Sequence, residues 1–261
     1  MEKRMLSPKE SYDAVVAAGI AKAALPLDRM LISAMLAGAF IALAGVGSTW
    51  ASLLVENLSL KRFLAGIVFP AGLALVVFTG TELFTGNNLM LMVRLEKKIS
   101  TAAMLRNWGI VWIGNFIGAA LVALAVFFGG VFEGHEAALV AVAGGKLMPF
   151  SKAFCKGVLC NVLVCLGVYM AAAGRDAAGK VTALFFPVAI FIMAGYEHCV
   201  ANMYYFAVGY LAHLAGAGSL CGFTLGAIFT NNLIAVTIGN IVGGAVCLGT
   251  ALWYIYGKEQ K

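Results

Sequence analysis

The sequence predicts an all-α membrane protein of six transmembrane helices, with helices two and five broken and the two halves of the chain forming inverted repeats. Three observations lead there: too little charge for a water-facing surface, six apolar runs of membrane-crossing length, and motifs that recur in the same order in both halves. Of 261 residues, 62% are hydrophobic and 11% charged, against about 25% charged in an average soluble domain. A soluble fold of this composition could not cover itself with polar groups, which excludes the soluble enzymes and soluble nucleic-acid binders. Met1 to Glu10 is charged and lacks the apolar core of a signal peptide.

Residues 1–28 form an N-terminal amphipathic helix ahead of the first span. Ser7 reads as its N-cap, Pro8 as its first residue and Glu10 as the closing member of a capping box. The helix is expected to run to about Ala24, with Val15, Ala18, Ile20 and Ala23 facing roughly one way, until Pro26 ends it. Such a helix is either a lid over a pore or an interfacial anchor for the first span.

Residues 29–256 form a single membrane domain whose spans cover about 30–55, 63–93, 108–131, 154–173, 181–212 and 223–256, with a short tail at 257–261. Each run reaches the ~20 residues needed to cross the hydrocarbon. The second and fifth are too long for one straight crossing, and small residues interrupt both: Thr79, Gly80, Thr81 and Gly86 in one, Ala194 and Gly195 in the other. Of 18 Lys and Arg residues, 13 fall on the side of both termini and five on the other: Lys61, Arg62, Lys146, Lys152 and Lys156. Positive loops stay in the cytoplasm, so both termini are expected there, in an inner cell membrane. The net charge of +6 is topology of this kind and needs no nucleic-acid partner.

The repeat appears as Gly80-x-Glu82 followed by Asn87, against Gly195-x-Glu197 followed by Asn202, each preceded by a Phe-Pro pair (Phe69-Pro70, Phe186-Pro187). Asn107, Gly114-Asn115 and Gly118 likewise match Asn232, Gly239-Asn240 and Gly243. Three spans per copy force the second copy to run the other way across the membrane. Broken helices in such folds meet near the midplane and line a path, because irregular backbone at that depth must be covered by protein or a cavity.

Ionisable groups inside a membrane need a partner or a pathway, which singles out Glu82, Glu197 and His198. The two glutamates occupy equivalent repeat positions and read as structural acceptors for backbone N–H groups freed by the breaks. His198 reads as functional. The six cysteines hold no C-x-x-C pair and read as small buried hydrophobes. Glycines spaced as Gly114/Gly118 and Gly239/Gly243 suit close helix packing, and His213 and His135 read as loop residues.

The segments "GTELFTGNNLM" (80–90), "KGVLCNVLVCLGVYMA" (156–171) and "AGYEHCVANMYY" (194–205) resemble signature segments of the formate/nitrite transporter family of small-anion channels. "LSPKE" and "NWGIVWIGN" fit its N-terminal helix and third span. The resemblance implies a homopentamer of aquaporin-like protomers, each with its own pore. By position it makes His198 the central pore histidine, surrounded by Glu197, Asn202 and Asn161, with Thr85 at the second-span break. Thr81 flanks the same break and Glu82 is the repeat counterpart of Glu197. Phe69, Leu73, Leu83, Phe191 and Val164 fall on positions that form two hydrophobic constrictions. Lys146, with Lys152 as substitute, matches a vestibule lysine that attracts anions.

The chemistry of these residues suggests a mechanism. An anion drawn to a positive vestibule loses water at a hydrophobic ring, which raises its proton affinity, and an imidazole with a reference pKa of about 6.5 can lend it a proton. Formate or nitrite is the first expectation and hydrosulfide the alternative; no cofactor and no metal is implied. A membrane-embedded metalloenzyme built on Glu82, Glu197 and His198 lacks an H-E-x-x-H motif and a second intramembrane histidine. An aquaporin-type neutral-solute channel lacks its Asn-Pro-Ala turn, since the five prolines stand at 8, 26, 70, 149 and 187.

Overall fold

In the computed structural model, which describes residues 5–218, 220 and 222–257, every regular element among the described residues is helical. Lys3, Arg4, Lys258 and Lys261 of the charge asymmetry, Cys221 and most of the C-terminal tail lie outside those residues. The order is α1 (Pro8–Ala23), α2 (Leu27–Ser52), α3 (Leu58–Val68), α4 (Pro70–Thr79), α5 (Phe84–Asn87), α6 (Met90–Leu95), α7 (Thr101–Phe128), α8 (Glu136–Gly144), α9 (Phe150–Ala173), α10 (Ala177–Met193), α11 (Cys199–Leu214) and α12 (Leu225–Gly257). Side-chain oxygens start many of them: Ser7, Asn57, Ser100, Asp176 and Thr224 each accept a hydrogen bond from a first-turn N–H, meeting donors that helix ends leave open.

Five stretches are long and apolar enough to cross a membrane: α2, α3 with α4, α7, α9 and α12; α10 is shorter. Many large apolar side chains on them face outward, among them Ile32, Leu43, Leu121 and Phe186, the arrangement of a protein solvated by lipid. α7 packs along α2 and α12 packs along α9. In both pairs glycine permits the approach. A side chain at Gly118 would strike the Met35 carbonyl, and one at Gly243 the Val158 carbonyl.

Helical structure stops twice at matching places. After α4, Gly80 turns left-handed at φ 66 and the backbone extends until α5 begins; after α10, Gly195 does the same at φ 68 before α11 begins. Gly suits both turns because it bears no Cβ. The Phe-Pro echo places unlike side chains, however: Phe69 is buried and Phe186 is 62% exposed. Pro70 separates α3 from α4, whereas Pro187 sits inside the continuous α10.

α1 carries the expected capping box, with Glu10 Oε2 accepting from Ser7 N at 2.8 Å and Ser7 Oγ from Glu10 N at 3.3 Å. Its inner face is not the expected one. Tyr12, Val15, Val16 and Gly19 are buried, against Leu89, Val93 and Leu252 among others, while Ile20 is 40% exposed. Tyr12 donates to Glu96 Oε1 at 2.7 Å, and Lys98 pairs with the other oxygen at 2.6 Å. Burial favours the neutral acid at Glu96, yet the bonds from Lys98 and Tyr12 outweigh it and hold its carboxyl below the usual range. A depressed carboxylate pKa stabilises above the unfolded value and loses that contribution as pH falls through the folded one. Replacing Tyr12 with Phe is therefore expected to cost about 1 kcal/mol and to speed amide exchange in α1 at pH 7. The difference from wild type should narrow on acidification, which exchange measured at pH 4 and pH 7 will show.

Candidate functional site

Both breaks are held by the same set of hydrogen bonds. At the first, Asn115 Oδ1 accepts from Phe84 N at 2.9 Å, while its Nδ2 donates to the carbonyls of Ala34 (2.7 Å) and Glu82 (2.9 Å). At the second, Asn240 Oδ1 accepts from Cys199 N at 2.9 Å and its Nδ2 donates to Gly157 (2.8 Å) and Glu197 (3.0 Å). A side-chain amide thus replaces the partners that each interrupted helix loses.

The glutamates serve a different purpose from the expected one. Their carboxylates accept from side chains, not from freed backbone N–H groups. Glu82 takes Asn87 Nδ2 at 2.7 Å, Asn107 Nδ2 at 3.0 Å and Lys22 Nζ at 2.8 Å. Glu197 takes Asn202 Nδ2 at 2.7 Å, Asn232 Nδ2 at 3.4 Å and Lys146 Nζ at 3.1 Å. Asn107 and Asn232 also donate to the carbonyls of Lys22 and Lys146. Lys146, rather than Lys152, is therefore the lysine at the second break, where its ammonium also lies 5.1 Å from the Tyr205 ring.

Lys22 is its counterpart at the first break. In the sequence Lys22 counts only as one of the N-terminal positive charges; in the fold it stands at the end of α1 as Lys146 stands just after α8. The repeat consequently includes α1, whose equivalent is the unforeseen helix α8 in the third loop. Lys22 also lines a cavity of about 210 Å³ with Thr81, Leu83, Asn87 and Lys180.

His198 stands between these networks, 3% exposed. It is the N-cap of α11, its Nδ1 accepting from Ala201 N at 3.0 Å. A ring nitrogen that accepts carries no proton, so this bond assigns the neutral ring's hydrogen to Nε2. Nε2 lies 2.9 Å from Thr85 Oγ1, joining the starts of the two resumed helices. Phe191 stacks on the imidazole at 5.9 Å, and Phe69 meets Phe191 edge-on at 5.8 Å. Asn161 Nδ2 reaches the Thr85 carbonyl at 3.2 Å. Leu73 and Val164 are buried, and Thr81 Oγ1 lies 3.1 Å from Thr79 Oγ1 at the cavity.

Other expectations need correction. His213 belongs to the last turn of α11, its Nδ1 2.9 Å from Gly218 O, against Phe223; a helix-terminal bond holds it where a solvated loop was expected. His135 does lie in the third loop as expected, just before α8, and sits edge-on to Trp50 at 5.7 Å. Cys155 and Cys247 are exposed on the protomer, unlike Cys160, Cys165 and Cys199.

Long apolar helices, two matched breaks lined by paired amides and lysines, and a histidine between them define a multi-pass membrane channel or transporter. The formate/nitrite transporter family model matches residues 9–254, and the chain belongs to that family. It is 37% identical to a probable formate transporter of Methanothermobacter thermautotrophicus, over 97% of this chain and 98% of that one. It is 34% identical to the formate channel FocA of Haemophilus influenzae, over 96% and 94%. Among solved structures, a pentameric formate channel with formate bound superposes with a TM-score of 0.78 at 32% identity, covering 89% of this chain and 98% of that one. An ion channel of the same family superposes with a TM-score of 0.80 at 32% identity, covering 94% of this chain and 98% of that one; the family and these structural neighbours are channels and transporters, not enzymes.

The ion pairs at the breaks carry a stability consequence. Lys146→Met leaves the Glu197 charge buried without its cation and is expected to cost about 3 kcal/mol. Adding Glu197→Gln should restore most of it. Thermal unfolding of the purified variants reads both changes.

Proposed function

We propose that this chain conducts a small monovalent weak-acid anion, formate or nitrite first, past the contact between Thr85 and His198. That contact is the observation that carries the reading. It puts a hydroxyl and an imidazole N–H side by side where two helices resume in mid-chain, beneath the apolar rings of Phe191 and Phe69. The named formate channels among its relatives support the choice of substrate.

In this reading the protomer has six spans with both termini in the cytoplasm of an inner-membrane protein, and five protomers assemble, as in the solved pentameric relative. Lys22 and Lys146, each paired with a buried glutamate, then place an ammonium at each vestibule, Lys22 on the cytoplasmic side. Phe69 and Phe191 form the constriction over His198, and Leu83 forms the one beside the inner cavity.

The histidine's capping bond sets how it acts. At neutral pH the ring offers only its Nε2 hydrogen, so a dehydrated anion is met by a hydrogen-bond donor. Full proton transfer from Nε2 needs a second proton on Nδ1, which must first break the bond from Ala201. Raised proton concentration therefore favours passage as the neutral acid, and near-neutral pH favours passage of the hydrogen-bonded anion.

Formate flux into liposomes tests this from pH 5 to pH 8 with His198→Phe. We expect loss of the pH dependence and a drop in flux of at least about tenfold at neutral pH, one strong hydrogen bond's worth. Unchanged flux and pH profile would remove His198 from the mechanism. Nitrite and hydrosulfide run in parallel decide among the substrates.

A further inference from the structure

Because the two repeats share their framework of hydrogen bonds, the positions where they differ stand out. Aligning Gly80 with Gly195 pairs Leu83 with His198, Thr85 with Val200 and Asn88 with Met203. Aligning Ala34 with Gly157, the equivalent carbonyl partners of Asn115 and Asn240, pairs Gly38 with Asn161. In each of these four pairs, one repeat has a polar side chain where the other has an apolar one or none. The four polar members form a single connected cluster. His198 touches Thr85, Asn161 touches the Thr85 carbonyl, and Asn161 Nδ2 donates to Asn88 Oδ1 at 2.8 Å.

Asn88 is fully buried, and nothing so far gives it a task. Its place is unusual in two respects. Asn161 Nδ2 has two hydrogens but three acceptors within reach: Asn88 Oδ1 at 2.8 Å, Asn240 O at 2.7 Å and Thr85 O at 3.2 Å. Three acceptors thus share two hydrogens, and the longest of the three contacts is the one to the Thr85 carbonyl, which also takes Cys165 Sγ at 3.2 Å and the Asn88 N–H at 3.4 Å. In addition, Asn88 Nδ2, like Asn161 Oδ1, has no hydrogen-bond partner among the described residues, so a merely structural amide is half unused. The amide orientations follow from the network. Turning Asn161 over would face its oxygen to three acceptors, and turning Asn88 over would face two NH₂ groups.

We propose that Asn88 is a positioning residue for transport: by drawing a hydrogen of Asn161 away from the Thr85 carbonyl, it leaves Thr85 free enough to part from His198 as the anion passes. This rests on the reading of Thr85 and His198 as the pore pair. Without the Asn88 acceptor, Asn161 has two hydrogens for two carbonyls and clamps Thr85. Met is the residue at the equivalent position of the other repeat, so Asn88→Met is the direct test.

Formate flux is measured from pH 5 to pH 8 for wild type, Asn88→Met, Thr85→Val and the double variant. Asn88→Met is expected to lower flux at neutral pH roughly three- to tenfold, the scale of one hydrogen bond, and to alter the pH profile. In the Thr85→Val background the same change should add nothing, since the two act through one another. An unaltered profile in Asn88→Met, or an equal drop in both backgrounds, overturns the proposal while the pore reading stands. An unaltered profile in Thr85→Val overturns the pore reading itself. The His198 ¹⁵N resonances, in a chain with His135 and His213 changed to Gln, give a readout apart from flux. They are expected to shift in the milder Asn88→Ser, and their constancy contradicts the proposal even where Asn88→Met fails to fold.

Discussion

A helix interrupted in a protein interior strands buried backbone N–H and C=O groups that must find partners, and the rest of this structure depends on how those groups are met. One asparagine per break does most of it. Asn115 and Asn240 each take one N–H from the resuming helix and give two hydrogens to carbonyls, one on their own break and one on the neighbouring long helix. That second bond is possible only because the long helices lie close together, which the glycines at 118 and 243 allow. Backbone chemistry, small residues and helix packing are thus a single requirement expressed three ways.

Around this framework each half adds an acidic residue, two asparagines and a lysine. The carboxylates of Glu82 and Glu197 are 1% and 4% exposed, a placement that is costly for a charge unless it is paired and hydrogen-bonded. Lys22 and Lys146 provide the pairing from segments that lie outside the long helices, α1 and the turn just after α8. The N-terminal helix is therefore tied to the first break through Lys22 as well as through its apolar face. In the proposed mechanism the symmetric residues hold the scaffold, while among the asymmetric ones Thr85 and His198 meet the anion and Asn161 and Asn88 position Thr85.

Much of this was legible in the sequence because membrane proteins write their constraints plainly. Apolar length marked the five long helices, and the repeated Gly-x-Glu and Gly-Asn motifs marked the two left-handed turns and the close helix approaches, since few residue types can occupy either. What stayed hidden depended on contacts between distant segments. Lys22 looked like a topology charge because its partner lies 60 residues away. Glu82 and Glu197 looked like backbone acceptors because the lysines and amides that surround them come from other helices. The inner face of α1 was misread because Tyr12 and Val16 outweigh Ile20 once Glu96 and the α6 surface are in place. Asn88 carried no signal of its own beside Asn87, the repeat-matched neighbour.

In the proposed mechanism a lone anion sheds its water and passes between Thr85 and His198. Anomalous diffraction from crystals soaked in bromide, with and without excess formate, tests it most directly. The account predicts a peak within hydrogen-bond reach of His198 Nε2 or Thr85 Oγ1 that formate displaces. Bromide found only away from that contact, or unmoved there by formate, would contradict it.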